Sequence, residues 1–140
     1  MKKVMTNQKI VAIVNSITSM QNREDEAIKN GGQKLFGSRT KVTYAIRKNK
    51  EKLLELLKPY NEEREILLKE CNKEEAQKNN TINIKEGFEE KWQQGIKDLL
   101  NIELEVEVHE IPFQEVEGLS LGMSDMEAID FMLTDPEEFK

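Results

Sequence analysis

The chain has few of the side chains on which most enzymes depend. Its 140 residues include one cysteine, Cys71, and one histidine, His109. A single thiol excludes an intrachain disulfide and is typical of a reducing compartment. Structural zinc sites need about four cysteine or histidine ligands, and nucleophilic or general acid–base catalysis often draws on the same residue types. We therefore predict no catalytic site, no metal centre and no cofactor, with Cys71 as a packing residue and His109 as a solvated side chain.

Long apolar runs and phosphate-binding loops are also lacking. The sequence contains no stretch of about 18 apolar residues, so we expect no membrane span. Polar residues interrupt the apolar ones near the N-terminus, and no small-residue cleavage site follows, which argues against a signal peptide. Neither a P-loop nor a G-x-G-x-x-G pattern occurs. These absences favour a cytoplasmic protein.

Charge is abundant and unevenly distributed along the chain. Charged residues are 34% of the total and the net charge is −6, which argues against general nucleic-acid binding. Residues 34–58 contain eight basic and two acidic residues, whereas residues 101–140 contain twelve acidic residues and one basic residue. We favour the interpretation that these two regions complement each other, within a chain or between subunits. The alternative is an anion-binding site for a nucleotide or a nucleic-acid phosphate, formed by Arg39, Lys41, Arg47 and Lys48.

The N-terminal region predicts one helix and one loop. Thr6 is a good helix N-cap, because its hydroxyl can accept a hydrogen bond from a free backbone N–H of the first turn. Apolar residues then recur at helical spacing, which predicts an amphipathic helix over residues 7–19. Residues 20–37 are polar and contain an Asn-Gly-Gly sequence, so we predict a flexible loop there.

The segment over residues 38–79 predicts one long helix, because it contains a single proline and no glycine. Its apolar residues alternate steps of four and three, which is the pattern of a heptad seam. We interpret the seam as the contact of a homo-oligomer, with a dimer favoured, and its members are Val42, Ile46, Asn49, Leu53, Leu56, Tyr60 and Leu67. An asparagine in such a seam can set the register or the number of subunits. Pro59 is either a kink in one continuous helix, which we favour, or a first-turn residue of a second helix.

Another helix and one clear strand follow. Apolar residues at helical spacing predict a helix over residues 85–100, which we expect to pack on the long helix as an antiparallel hairpin. Alternation of apolar residues with glutamates predicts a half-buried strand over residues 102–111. The candidate partners of this strand are residues 2–5, residues 81–84 and a second subunit.

The C-terminal region predicts a short helix over residues 125–134. Ser124 and Glu127 have the spacing of a capping box, in which each side chain accepts a hydrogen bond from the backbone of the other residue. Asp135-Pro136 ends the apolar pattern, since the residue before a proline disfavours the helical conformation.

The order of these segments resembles that of a known group of proteins. The sequence reads KPYNEER in the long helix, LLNIELEVEVHEIP at the strand and MEAIDFML in the terminal helix. Similar stretches recur in this order in short, uncharacterised phage and prophage proteins of Gram-positive bacteria, and the resemblance covers about residues 38–135. It implies a phage-derived accessory protein in the bacterial cytoplasm, and the motifs that carry it are structural rather than catalytic.

The sequence as a whole predicts a single domain over residues 1–140. The expected class is α+β and predominantly helical, with a long helical hairpin, a small antiparallel sheet and a short C-terminal helix. The expected function is that of a non-enzymatic interaction or assembly protein, acting through the seam and contacting a phage or host protein. The alternative is a phage inhibitor of host defence, which binds a host protein or sequesters a nucleotide signal. Neither a membrane nor a nucleic acid is an expected partner.

Overall fold

The computed structural model describes residues 2–32, 39–119 and 121–134. The first half of the fold consists of β1 (Lys2–Thr6), α1 (Asn7–Lys29), α2 (Thr40–Leu56), α3 (Lys58–Cys71) and α4 (Glu74–Lys78). The second half consists of α5 (Glu89–Leu100), β2 (Glu103–Glu107), β3 (Ile111–Pro112), α6 (Met123–Ile129) and β4 (Leu133–Thr134). Short 3₁₀ turns cover Phe113–Val116 and Asp130–Met132. The predicted α+β, predominantly helical class is confirmed.

Helix α1 begins where the sequence indicates, but it is longer than predicted. The hydroxyl of Thr6 accepts a hydrogen bond from the backbone N–H of Lys9 at 3.2 Å, which caps the helix. The predicted loop over residues 20–37 is wrong for residues 20–29, which continue the helix. Residues 33–37 of that predicted loop lie outside the described residues.

Contacts with distant parts of the chain explain the extra length of α1. Met20 is fully buried in the core. The guanidinium of Arg23 lies 2.5 Å from the carboxylate of Asp125 in α6. Most helix stability in proteins comes from tertiary packing rather than from local propensity, so these contacts extend α1 through a polar sequence.

The predicted single helix over residues 38–79 divides into α2, α3 and α4. Leu57 lies between α2 and α3 and keeps helical backbone angles, with φ −82° and ψ −9°. Hydrogen bonds continue on both sides, since its N–H donates to the Leu53 carbonyl at 3.0 Å and its own carbonyl accepts from Asn61 N–H at 2.9 Å. Pro59 lies in the first turn of α3, where a missing N–H costs little. The bounds of the two helices agree with the second-helix alternative for Pro59, and the helical backbone of Leu57 joins α2 directly to α3. Residue 38 lies outside the described residues.

Asn72 ends α3 and holds the loop that follows it. Its backbone is extended and forms an isolated antiparallel bridge with Ile84. Its buried side chain donates to the Thr81 carbonyl at 2.9 Å and accepts from the Asn83 N–H at 2.6 Å. This bridge is all that the structure shows of the candidate strand over residues 81–84.

Helix α5 packs on α3 and starts at Glu89 rather than at residue 85. Lys91 forms an ion pair with Glu70, and Gly95 lies under Leu67. From the first contact to the second, the residue number rises along α5 and falls along α3, as expected for an antiparallel hairpin. A Cβ atom on Gly95 would lie 2.5 Å from a methyl group of Leu67, so the glycine permits the close approach of the two helices.

Strand β2 pairs with β1 in an antiparallel sheet, so residues 2–5 are the partner among the three candidates. In this register Lys2 lies opposite Glu107, and Thr6 lies opposite Glu103. The predicted strand over residues 102–111 is too long. It ends at Glu107, and Ile111–Pro112 pairs instead with β4 in a two-residue parallel contact.

The C-terminal helix is shorter than the predicted range over residues 125–134, and its cap differs from the predicted capping box. Gly122 is the N-cap, and its N–H donates to the carboxylate of Asp125 at 3.3 Å. The capping role predicted for Ser124 is therefore wrong, because the helix begins one residue before it. Residues 130–134 form a 3₁₀ turn and β4 instead of a continued helix.

One apolar cluster joins the N-terminal and C-terminal thirds of the chain. Its fully buried members are Ile10, Ile17, Met20, Val42, Ala45, Ile129 and Met132. Helix α1 packs against α2 and α6, while the inner face of β2 contributes Val106. The hairpin of α3 and α5 contributes almost nothing to this core.

Candidate functional site

The predicted oligomer seam is divided between two environments. Val42, Ile46, Asn49 and Leu53 are at most 3% exposed within a single chain. They belong to the chain's own core, and a second copy has no access to them. The remaining three residues are half-buried, and they are Leu56, Tyr60 and Leu67. Any contact between copies is therefore limited to the part of the seam at and beyond the break between α2 and α3.

Asn49 has a partner within its own chain. Its side-chain oxygen accepts from the His109 N–H at 2.8 Å, and its side-chain nitrogen donates to the His109 carbonyl at 2.9 Å. This pair of bonds replaces a neighbouring strand for the backbone between β2 and β3. It also draws His109 inward, so that its ring meets Tyr44 edge-on with 5.4 Å between ring centroids. His109 is half-buried rather than solvated as predicted.

The basic stretch of α2 mainly contacts the acidic C-terminal region of the same chain. The guanidinium of Arg39 donates to the carbonyls of Glu115 and Glu117 at 2.8 and 2.9 Å. Lys41 lies 3.7 Å from the carboxylate of Glu115. Lys41 is largely exposed, so this ion pair contributes little to stability. The Arg39 contacts hold the 3₁₀ turn against the start of α2. Both terminal nitrogens of its guanidinium donate to these carbonyls.

The other two predicted anion-binding residues line a shallow pocket of about 210 Å³ together with Tyr44 and Glu51. Arg47 lies 3.4 Å from the carboxylate of Glu51, one helical turn away. Tyr44 is 55% exposed, so its ring is available to a planar ligand. The structure thus brings Arg47 and Lys48 together at one pocket. Arg39 and Lys41 lie apart from it and contact the acidic region instead.

A second surface lies on the hairpin. Helix α5 has no fully buried residue, and Cys71 is the only one in α3. The apolar stripes of the two helices are instead half-buried along the whole hairpin. We define the hairpin surface by six of its half-buried residues, which are Tyr60, Arg64, Leu67, Trp92, Ile96 and Leu99.

The charged side chains of the hairpin support its fold. The guanidinium of Arg64 lies 5.9 Å from the centre of the Trp92 ring, a distance suited to a cation–π contact. The hydrogen bond to Glu70 raises the pKa of Lys91 above its ordinary value. Both contacts join α3 to the N-terminal turn of α5, at the adjacent residues Lys91 and Trp92.

Three further findings concern metal ligands, membrane spans and the single thiol. No group of three metal-ligating side chains comes together within residues 2–32, 39–119 and 121–134. Over the same residues, every helix is too short or too polar to cross a membrane. The thiol of Cys71 is fully buried.

Comparison with protein-family models, with curated proteins and with solved structures finds no match to this chain. Sequence reasoning found the apolar spacing of α2, α3 and α5, but the spacing does not show that the first four seam residues are buried in the chain's own core. The two parts of the seam differ in what they pack against, since α2 packs on α1 and the two small sheets whereas α3 packs mainly on α5.

Proposed function

We propose that this protein is a non-enzymatic interaction protein that self-associates through the hairpin surface. The observation that carries the proposal is that α5, although strongly amphipathic, buries none of its residues fully in a single chain. An amphipathic helix gains stability by burying its apolar stripe against another element. A second hairpin is the simplest such element, because it presents the same stripe.

The expected arrangement is a dimer in which two hairpins form a four-helix bundle. Two-fold symmetry places the same apolar patch on both sides of such a contact. Trp92, Ile96 and Leu99 would then become fully buried, and burial of apolar surface stabilises association by about 25 cal/mol per Å². Arg64 would remain at the edge of the bundle, where its charge stays solvated.

The proposal is tested by measuring the molar mass in solution. We expect light scattering at tens of micromolar to give the mass of a dimer for the natural chain. Ile96→Asn should shift the protein to monomer, because a polar amide would be buried in the contact without a partner. Circular dichroism establishes that this variant is folded.

Ile28→Asn is the matched control. Ile28 is an exposed isoleucine on α1, 40% accessible and distant in sequence from the hairpin. Its replacement should leave the dimer intact. A natural chain that is monomeric at these concentrations, or a control that dissociates as completely as Ile96→Asn, contradicts the proposal.

The setting that we propose is a bacterial host cell, where the protein is an accessory or assembly component encoded by a phage or prophage. This part rests on the resemblance of residues 38–135 to short phage proteins. A dimer suits an assembly role, because each subunit can bind one copy of a phage or host partner and the dimer then brings the two copies together. Affinity purification from an infected culture tests it, and recovery of the chain without any phage or host protein would contradict it.

A second candidate is an inhibitor of host defence that binds a host protein or sequesters a nucleotide signal. The observation that favours the nucleotide version is the pocket of Tyr44, Arg47 and Lys48, where an exposed ring lies beside two cations. Aromatic stacking and charge are the usual means of holding a nucleotide. Thermal shift against cyclic and ADP-ribose nucleotides tests it, since a ligand stabilises the folded state by RT ln(1 + [L]/Kd). No shift for any nucleotide contradicts it.

A further inference from the structure

Strand β2 has a second edge that no strand within the described residues covers. The N–H of Asn7 donates to the carbonyl of Ile102 at 3.0 Å, next to the ladder that pairs Thr6 with Glu103. Backbone groups of an antiparallel strand alternate between its partner and the opposite side. The groups of Leu104 and Val106 therefore face β1, and those of Glu103, Glu105 and Glu107 face the other edge.

A contact from α2 supports this assignment. The ammonium group of Lys52 donates to the carbonyl of Glu107 at 3.2 Å, and this carbonyl belongs to the outward set. Lys52 thus covers one end of the edge. Glu103 and Glu105, nearer the start of β2, are exposed. An exposed edge is a template for pairing with another extended chain.

The edge lies beside a cleft with a clear excess of negative charge. The cleft has a volume of about 490 Å³ and runs between α2 and β2, with Leu56 as an apolar contact. Two lysines and four glutamates line it. The side chains of Glu103, Glu105 and Glu107 also share the outer face of the sheet, because alternate residues of a strand point to one side. Residues that pair with this edge will lie opposite a row of carboxylates.

We propose that the β2 edge binds an extended, basic segment of a partner protein by adding it as a third, antiparallel strand. Directly opposed residues of an antiparallel pair have their side chains on the same face. Lysine or arginine at alternate positions of the segment would therefore lie opposite Glu103 and Glu105. Their backbone amides would bond to the β2 edge, while the side chains of the intervening residues lie on the opposite face of the sheet, the face of Leu104 and Val106.

A second copy of this chain does not fit the same edge. Pairing β2 with another β2 would place glutamates opposite glutamates, and like charges in directly opposed positions destabilise a sheet. The inference is thus independent of the hairpin dimer, which uses α3 and α5. Each surface can fail its test without affecting the other.

The test uses a synthetic peptide of alternating lysine and valine and the full-length protein. We expect isothermal titration calorimetry to show binding, and Glu105→Lys to weaken it at least tenfold. Glu63→Lys is the matched control, because Glu63 is an exposed glutamate on α3. This control should leave the affinity unchanged. Circular dichroism establishes that both variants are folded.

Two N-methylated peptides separate strand addition from attraction between charges. Methylation of the lysine amides removes the donors that face the β2 edge, so binding should be lost. Methylation of the valine amides, which point away from the edge, should leave binding intact. The proposal is overturned if the unmodified peptide fails to bind, if both methylated peptides bind equally well, or if Glu105→Lys changes the molar mass of the protein.

Discussion

Asn7, Asn49 and Asn72 are each less than 5% exposed, and the side-chain amide of each donates to a backbone carbonyl outside its own helix. Asn7 donates to the carbonyl of Leu99 at the end of α5 at 2.9 Å. Asn49 makes two bonds to one residue, and Asn72 bonds to both sides of a loop. A short amide side chain carries one donor group and one acceptor, so it can satisfy a peptide unit as a neighbouring strand would.

We predict that Asn49→Ala destabilises the protein by about 3 kcal/mol, because it leaves two backbone groups of His109 buried without a partner. Urea unfolding measures the change. Asn22→Ala is the control, since Asn22 is exposed on α1 and its loss should change stability by less than about 0.5 kcal/mol. Light scattering should show no change in molar mass for Asn49→Ala. A change in subunit number would instead favour the seam role that the heptad pattern indicates.

The break between α2 and α3 decides which apolar residues the two helices present. Before Leu57 the helix packs on α1 and the sheet, and after Leu57 it packs on α5. Leu57 itself is 4% exposed and belongs to the core. The first-turn position of Pro59 allows this transition without the loss of a helix-interior hydrogen bond.

We predict that Pro59→Ala changes the free energy of unfolding by less than about 1 kcal/mol, because proline is tolerated in the first turn of a helix. A proline in the interior of one continuous helix costs about 3 kcal/mol. In that case the substitution would stabilise the protein by a similar amount. Urea unfolding distinguishes the two outcomes. Ala45→Pro, inside α2, is the contrasting variant and should unfold the protein.

The whole molecule consists of a well-packed core and a thinly packed hairpin. Helices α1, α2 and α6 share the main apolar cluster, whereas α5 has no fully buried residue. Local opening requires less free energy where few apolar groups are buried. The hairpin should therefore open before the core does, unless a second copy covers it.

We predict that amides of α5 exchange with solvent hydrogen at a lower free energy of opening than amides of α1. Native-state hydrogen exchange at low and high protein concentration measures both. Protection of α5 should rise with concentration if dimerisation covers the hairpin surface, and protection of α1 should not. Equal protection of the two helices in dilute solution would contradict the division into core and hairpin.

Local patterns in the sequence predicted the features that depend on neighbouring residues. The hydroxyl of Thr6 caps α1, because a cap needs only the next three residues. The alternation of apolar residues with glutamates predicted the position of β2 and its exposed charged face. Helical spacing placed α5 within a few residues of its observed bounds, and together these elements determine the α+β class.

Only the tertiary structure decided which of these elements bury each other. The side chain of Asn49 meets a residue 60 positions away, and Arg23 meets one 102 positions away. No local pattern contains such contacts, so the length of α1 and the role of Asn49 differ from their predictions. The same reason divides the seam, since its first four residues are enclosed by α1 and the sheet. The apolar residues of α3 and α5 stay half-buried because no further element of the described fold packs over them.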